Sequence, residues 1–315
     1  MRAAIVFLAL LTGACATPRV TPSPAQCEVD LMVLGVGQDA GAPQLGRDND
    51  PAWADPRLRL TATSLGLRDA RSGRRWLFEA TPDIREQLHA FTTFDSGMSR
   101  ANGGLDGVFL THAHIGHYAG LMFFGHESMG ARDLDVYATP RMANFLTNNG
   151  PWSQLVRNHN IILQPLQNGV ATALAPSLQV TPFEVPHRQE YSDVVGFRIE
   201  GPSRRALFLP DIDSWEQWDA AGTRIEDEIR SVDIAFVDAT FFANGEIPGR
   251  DMSGFPHPFI AHSMERLLTL PPQERAKVRF IHFNHTNPVR FDSPERARVL
   301  AAGFNLAAAG EHHCL

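Results

Sequence analysis

The stretch Asp106-Gly107-Val108-Phe109-Leu110-Thr111-His112-Ala113-His114-Ile115-Gly116-His117 decides how the rest of this chain is read. It opens as a β-strand over residues 106–111 and then delivers three histidines within six residues. In extended backbone, side chains two residues apart project to the same side, so His112 and His114 present two imidazoles together. Gly116 lets the chain turn, and His117 stands at the start of an apolar helix around residues 118–124. With 13 histidines in 315 residues, composition alone seldom yields this spacing, and a metal centre is the reading it favours. The other histidines fit blander roles. His89, His126 and His159 lack partners at ligand spacing and read as structural or solvated. His312-His313 reads as an exposed or terminal-strand pair.

Around this motif, strand and helix signals alternate. Residues 29–35 form a strand that runs into a Gly/Asp/Pro-rich loop from Gly37 to Asp55, whose Gln38 and Asp39 are candidate site-lining residues. Residues 61–68 and 75–79 are β-prone runs joined by a hairpin signal. Thr81-Pro82 opens a helix with Thr at the N-cap and Pro at its first position, and Thr139-Pro140 opens another that Asn149-Gly150 closes. Further strands are expected at 178–185, 194–200, 206–209, 234–237 and 278–283. Further helices are expected near 214–221, 224–230, 259–270 and 294–301. Strand runs mixed with helices point to layered α/β with mixed sheets rather than one doubly wound parallel sheet. Trp215 and Trp218, three apart on a helix, read as core anchors. Gly35-Val36-Gly37 lacks the third glycine of a dinucleotide fingerprint.

Composition narrows the function classes. Hydrophobic residues make up 43% and charged residues 20%, the balance of a packed globular protein. A net charge of −7 offers no basic surface for phosphates, so nucleic acid is not expected as a partner. Met1-Arg2 followed by a short apolar run reads as an export signal over residues 1–15, too short to span a bilayer. Leu11-Thr12-Gly13-Ala14-Cys15 resembles a lipoprotein signal that would lipidate Cys15, while Ala14-Cys15-Ala16 also suits ordinary signal peptidase. A Pro-rich tether follows at 16–27, and a single domain occupies 28–315. The expected location is the periplasm, or a lipid anchor in a bacterial envelope. Cys27 and Cys314 are either a disulfide pinning the termini or two free thiols.

His112-Ala113-His114-Ile115-Gly116-His117 resembles the H-x-H-x-D-H motif of the metallo-β-lactamase-fold metallohydrolases. The family's other landmarks follow in order. Thr81-Pro82-Asp83 resembles the acidic turn that supports the site. His187 resembles the isolated third ligand, Asp211 the bridging carboxylate and His282 the last ligand at a strand end. Within the superfamily, His282-Phe283-Asn284-His285-Thr286-Asn287-Pro288, Asp238-Ala239-Thr240-Phe241-Phe242 and the Met252–His257 loop resemble the branch of pyrroloquinoline quinone biosynthesis protein B. That branch lacks the first two histidines and keeps the aspartate, whereas this chain has both histidines and Gly116 in place of aspartate.

The resemblance implies a four-layer αββα sandwich of two mixed β-sheets. It implies a first zinc site of His112, His114 and His187 with an open position. A second site would hold His117, Asp211 and His282, and it is doubtful because Gly116 replaces the usual carboxylate. Asp213, His257 and His285 are candidates to make up that loss. Asp211 would orient a zinc-activated water for attack on an ester, lactone, amide or phosphodiester of a small molecule, and His257 is a candidate proton donor. Two other readings stay open. One is an iron-dependent oxygenase like the quinone-biosynthesis relative; the other is a non-catalytic metal-binding envelope lipoprotein. The intact three-histidine set and bridging aspartate favour hydrolysis, and the substrate rests on loops such as 242–258 that one sequence does not decode.

Overall fold

The computed structural model describes residues 27–93 and 101–315. The signal at 1–15, its Cys15 and tether residues 16–26 lie outside the described residues. Two seven-stranded sheets stack face to face. The first contains β1 (Val29–Gly35), β2 (Ser64–Asp69), β3 (Arg75–Phe78), β4 (Gly107–Phe109), β5 (Leu134–Ala138) and β6 (Ile161–Pro165). The second contains β7 (Thr172–Ala175), β8 (Leu178–Glu184), β9 (Val195–Glu200), β10 (Arg205–Leu209), β11 (Ile234–Asp238), β12 (Val278–Ile281) and β13 (Asn305–Leu306). The last strand, β14 (His312–Cys314), returns to pair antiparallel with β1 at the edge of the first sheet. Each sheet is mixed: β1 to β3 and β7 to β10 pair antiparallel, and β3 to β6 and β10 to β13 pair parallel.

The two-residue side-chain period of a strand makes the layers. On β1, Val29, Leu31 and Val33 join the core between the sheets, while Met32 and Leu34 join the core on the outer face. Phe78 and Phe109 meet Phe197 across the gap, with ring centroids 5.4 and 5.6 Å apart. Outside the first sheet lie α1 (Ile84–Thr92), α2 (Ile115–Tyr118), α3 (Pro140–Asn148) and α4 (Trp152–Arg157). Outside the second lie α5 (Trp215–Ala220), α6 (Ile225–Ser231), α7 (Ile260–Leu267), the short α8 (Pro272–Arg275) and α9 (Pro294–Ala301). Trp215 and Trp218 are core anchors here, both buried. The expected four-layer sandwich is the fold.

Local differences have local causes. The helix after Thr81 starts at Ile84, after a turn in which the Thr81 hydroxyl accepts from the Asp83 amide at 3.1 Å and donates to Gln87 at 2.6 Å. The run 118–124 splits into the end of α2 and a 3₁₀ turn, Ala119–Phe124. Strands β5 to β7 were not foreseen; β6 ends in Pro165 at a sheet edge, where a missing N–H is tolerated. Of the two states left open for the cysteines, the disulfide is the one formed: Cys27 and Cys314 are bonded, and their Cα atoms lie 5.1 Å apart.

The fold gathers function at one end. Strands β1, β3, β4, β8, β10, β11 and β12 run in register-compatible directions within their sheets. Asp39, Glu79, the 112–117 motif, His187, Asp211, Asp238 and His282 all follow or close the carboxyl ends of these strands. Loops at such ends are where layered α/β folds place their ligands.

Candidate metal centre

Each histidine is oriented by the group on its outer nitrogen. The Thr111 hydroxyl donates to Glu79 Oε1 at 2.5 Å. It therefore accepts from His112 Nδ1 at 2.8 Å, which leaves His112 Nε2 as a bare lone pair. The Thr240 hydroxyl likewise donates to Asp238 Oδ1 at 2.8 Å and accepts from His282 Nδ1 at 2.9 Å. His187 Nδ1 donates to Asp213 Oδ1 at 2.7 Å, His114 Nε2 to Glu190 Oε2 at 2.9 Å, and His117 Nδ1 to Glu79 Oε1 at 3.3 Å. His112, His114, His187 and His282 thus keep their protons outside and turn their other ring nitrogens inward, the arrangement that orients metal-binding histidines, and His117 lies between Glu79 and Asp211.

These inward nitrogens converge. His114 Nδ1 lies 2.9 Å from His112 Nε2 and 3.1 Å from His187 Nε2. Asp211 stands between this trio and the remaining histidines. Its Oδ2 is 2.9 Å from His117 Nε2, 3.4 Å from His282 Nε2 and 3.9 Å from His112 Nε2. Its Oδ1 is 3.9 Å from His187 Nε2 and 3.4 Å from His257 Nδ1. His282 Nε2 is buried without a hydrogen-bond partner, and Asp211 Oδ2 is out of hydrogen-bond alignment despite its short approach to His117. Lone pairs facing one another in a buried site repel unless a cation lies between them. The donor set therefore fits metal ions, and the imidazole and carboxylate types suit zinc.

Burial and charge act together on this cluster. Burial lowers the His112 pKa well below the usual imidazole value, and it also lowers His114 and His282. Burial opposes the charge on His117 too, but the Asp211 and Glu79 carboxylates push its pKa well above the ordinary value. Burial would raise Asp211, yet the His282 and His117 imidazoles hold it well below the carboxylate range. His257, also opposed by burial, is pushed up to about 9, chiefly by Asp238, whose Oδ2 is 2.8 Å from its Nδ1. A cleft of about 510 Å³ shares His257 and Asp213 with the cluster, and its lining includes Arg188, Ser214, Glu216, Gln217, His262 and the 253–259 segment.

The structure brings together His112, His114, His117, His187, Asp211 and His282, all foreseen from sequence. Asp213 stands just outside them as the partner of His187, whereas His257, 2.8 Å from Asp238 and 3.4 Å from Asp211, offers a ligand atom within 4.8 Å of those of Asp211 and His282. Gln38 meets Asn284 beside His282. Asp39 approaches His117 and His282, with one ligand atom of each within 4.8 Å of the others. Two expectations are corrected. Asp83 does not line the cluster; its carboxylate accepts from the Ala62 amide at 2.7 Å, bracing the loop after β1. His285 does not reach it either, lying beside Arg47, Asp50 and Arg290 in a separate cleft. The acid that supports the motif is Glu79, unforeseen, fully buried and held at φ 76° at the end of β3. Asp238, Glu190, Thr111 and Thr240 were also missed as orienting groups. The usable signal was an acid closing an apolar run, as in Trp76-Leu77-Phe78-Glu79.

Comparison with known proteins agrees with this picture. The family model described as the beta-lactamase superfamily domain matches residues 74–283. Coenzyme PQQ synthesis protein B of Nitrosococcus oceani is 27% identical over 318 residues, spanning 89% of this chain and 98% of that protein. Among solved structures, zinc-bound PqqB from Methylobacterium extorquens superposes with a TM-score of 0.75 at 23% identity, covering 91% of this chain and 100% of that one. A diphosphatase of the PhnP family superposes with a TM-score of 0.64 at 24% identity, covering 91% and 98%. At these identities the two solved structures establish a shared fold.

Proposed function

This chain belongs to the beta-lactamase superfamily, and from that premise we propose that it is a zinc-dependent hydrolase of a small ester, lactone, amide or phosphodiester. The observation that carries the proposal is that His112, His117, His187 and His282 turn ring nitrogens toward the two oxygens of Asp211, while His114 Nδ1 meets the nitrogens of His112 and His187. The zinc-bound PqqB structure supports zinc as the ion, and the PhnP-family diphosphatase supports including phosphate esters among the substrates.

When bound, zinc lowers the pKa of a coordinated water to about 7 and polarises the bond under attack. His112, His114 and His187 would hold the ion. Asp211, reaching both groups of histidines, orients the attacking water by accepting its hydrogen bond. His257 lines the cleft with its Nδ1 on Asp238. There it is placed to give a proton to the leaving group. Glu79, Asp213 and Glu190 keep the imidazoles aimed.

We further propose export, with Cys15 as a lipid anchor. The Cys27–Cys314 disulfide supports an oxidising compartment. Fractionation of expressing cells and mass analysis of the N-terminal peptide test this. The hydrolase reading is tested by elemental analysis of the purified chain together with a hydrolysis panel of the four bond classes. Zinc and a turnover abolished by His114→Ala are expected. Tightly bound iron with oxygen consumption, or metal binding with no turnover on any class, would overturn it.

A further inference from the structure

Gly116 and Asp39 occupy one space. A Cβ built on Gly116 would stand 2.4 Å from Asp39 Cα, 2.8 Å from Asp39 Oδ1 and 3.0 Å from the Asp39 carbonyl oxygen. No side chain of any kind fits at 116 while the 37–42 loop holds its course. Conversely, the missing side chain lets the Asp39 carboxylate reach His117 and His282, where the three offer ligand atoms within 4.8 Å of one another. His282 Nε2, in that same group, is the buried nitrogen without a hydrogen-bond partner.

The loop is built to keep Asp39 there. Gln38 N donates to the Phe283 carbonyl at 2.9 Å, and Phe283 N donates to the Val36 carbonyl at 2.7 Å, so the residue after His282 is bridged to the residues before Asp39. Gly37 N donates to Thr61 at 2.9 Å, and Ala42 and Leu60 exchange backbone hydrogen bonds at 2.8 and 2.9 Å. Gly41, at φ 68°, faces the Leu60 carbonyl so closely that a Cβ would lie 2.0 Å from it. Asp39 itself is held at φ 47°, in the left-handed region that non-glycine residues seldom occupy and that functional sites often do.

We propose that Asp39 is the carboxylate ligand of a second metal ion, completing His117 and His282 with Asp211 shared between the two ions, and that Gly116 is the residue that admits it. This rests on the reading of the cluster as a metal centre. The second site then has two imidazoles and two carboxylate donors, one of them delivered by the loop after β1 rather than by the histidine motif. A site built this way retains an anionic ligand of its own, which the motif alone lacks.

The test is zinc titration of metal-free full chain, followed by calorimetry and by competition with a chromophoric chelator, with cobalt(II) absorption as a second readout. Asn tolerates the left-handed conformation, so Asp39→Asn removes charge while keeping the backbone, and circular dichroism checks that it folds. The wild-type chain should bind two ions. Asp39→Asn and His117→Ala should each weaken the second by more than about 100-fold and leave the first in place. Gly116→Ala changes no donor, yet should weaken the same ion by displacing the loop. Unchanged two-ion binding by Asp39→Asn overturns the proposal, as does a wild-type chain that takes up one ion only. In both cases the metal-centre reading stands. A wild-type chain that binds no zinc or other divalent ion overturns that reading itself.

Discussion

Glu79 Oε1 lies 3.3 Å from His117 Nδ1 and accepts the Thr111 hydroxyl at 2.5 Å, so one buried carboxylate orients two imidazoles, His117 directly and His112 through Thr111. Its burial raises its pKa, and the charge of His117 opposes that rise. Glu79→Gln preserves the shape but replaces an acceptor-only group by one that also donates. Zinc affinity should fall by about 10–100-fold with the fold intact by circular dichroism. Equal zinc affinity in calorimetry would show that the carboxylate is a packing element only.

The Cys27–Cys314 bond joins residues separated by 287 positions, clamping β14 against β1 at the sheet edge. Closing so long a loop limits the unfolded chain, which is the usual origin of disulfide stabilisation. The double variant Cys27→Ser/Cys314→Ser should lose about 2–4 kcal/mol in urea unfolding while binding zinc as before, since neither cysteine touches the cluster. Loss of zinc binding in a folded double variant would show that the clamp also shapes the site.

The histidine motif was legible because its members are adjacent and the two-residue period of extended backbone fixes their relation. The candidate ligands His187, Asp211 and His282 were legible only through family order, since each is a lone residue after an apolar strand. Asp39 read as a rim residue because its partner Gly116 is remote in sequence, and a glycine carries no signal about which side chain fills the space it leaves. Glu79 and Asp238 were passed over as strand-end acids, although their complete burial is costly without partners. The sheet centres followed from apolar runs, whereas edge strands such as β6 and β7 are short and half exposed. Their pairing is decided by neighbours rather than by their own pattern.

Arg266 on α7 grips Glu226 on α6 with two bonds of 2.8 Å and reaches Asp219 on α5 at 2.8 Å, tying three helices over the second sheet. Burial would raise Glu226, but its bonds to Arg266 and Arg224 bring it from 4.5 to about 2. A carboxylate depressed on folding contributes stability above its unfolded pKa and loses it as pH falls through the folded value. Glu226→Gln should therefore be less stable than the wild type at pH 6, and the gap should close between about pH 4.5 and 2. Urea midpoints at pH 6 and 3 check this; a gap that does not narrow would place the effect in packing.

Zinc removal should destabilise the fold as well as silence it. Without a cation, His114 Nδ1 faces two nitrogens at 2.9 and 3.1 Å, and His282 Nε2 stays buried without a hydrogen-bond partner. Both are costs borne by the native state alone, because unfolding returns these groups to water. The candidate ligands come from β-strand ends in both sheets, so an ion binding them would favour only the assembled sandwich. Its contribution grows with free zinc and reaches about 2.7 kcal/mol at 100 times the dissociation constant. Thermal unfolding with chelator, then with stepped zinc, should give a midpoint that rises with the logarithm of free zinc. A midpoint indifferent to zinc would mean that the imidazoles relax without a metal and that the cluster is not a metal centre.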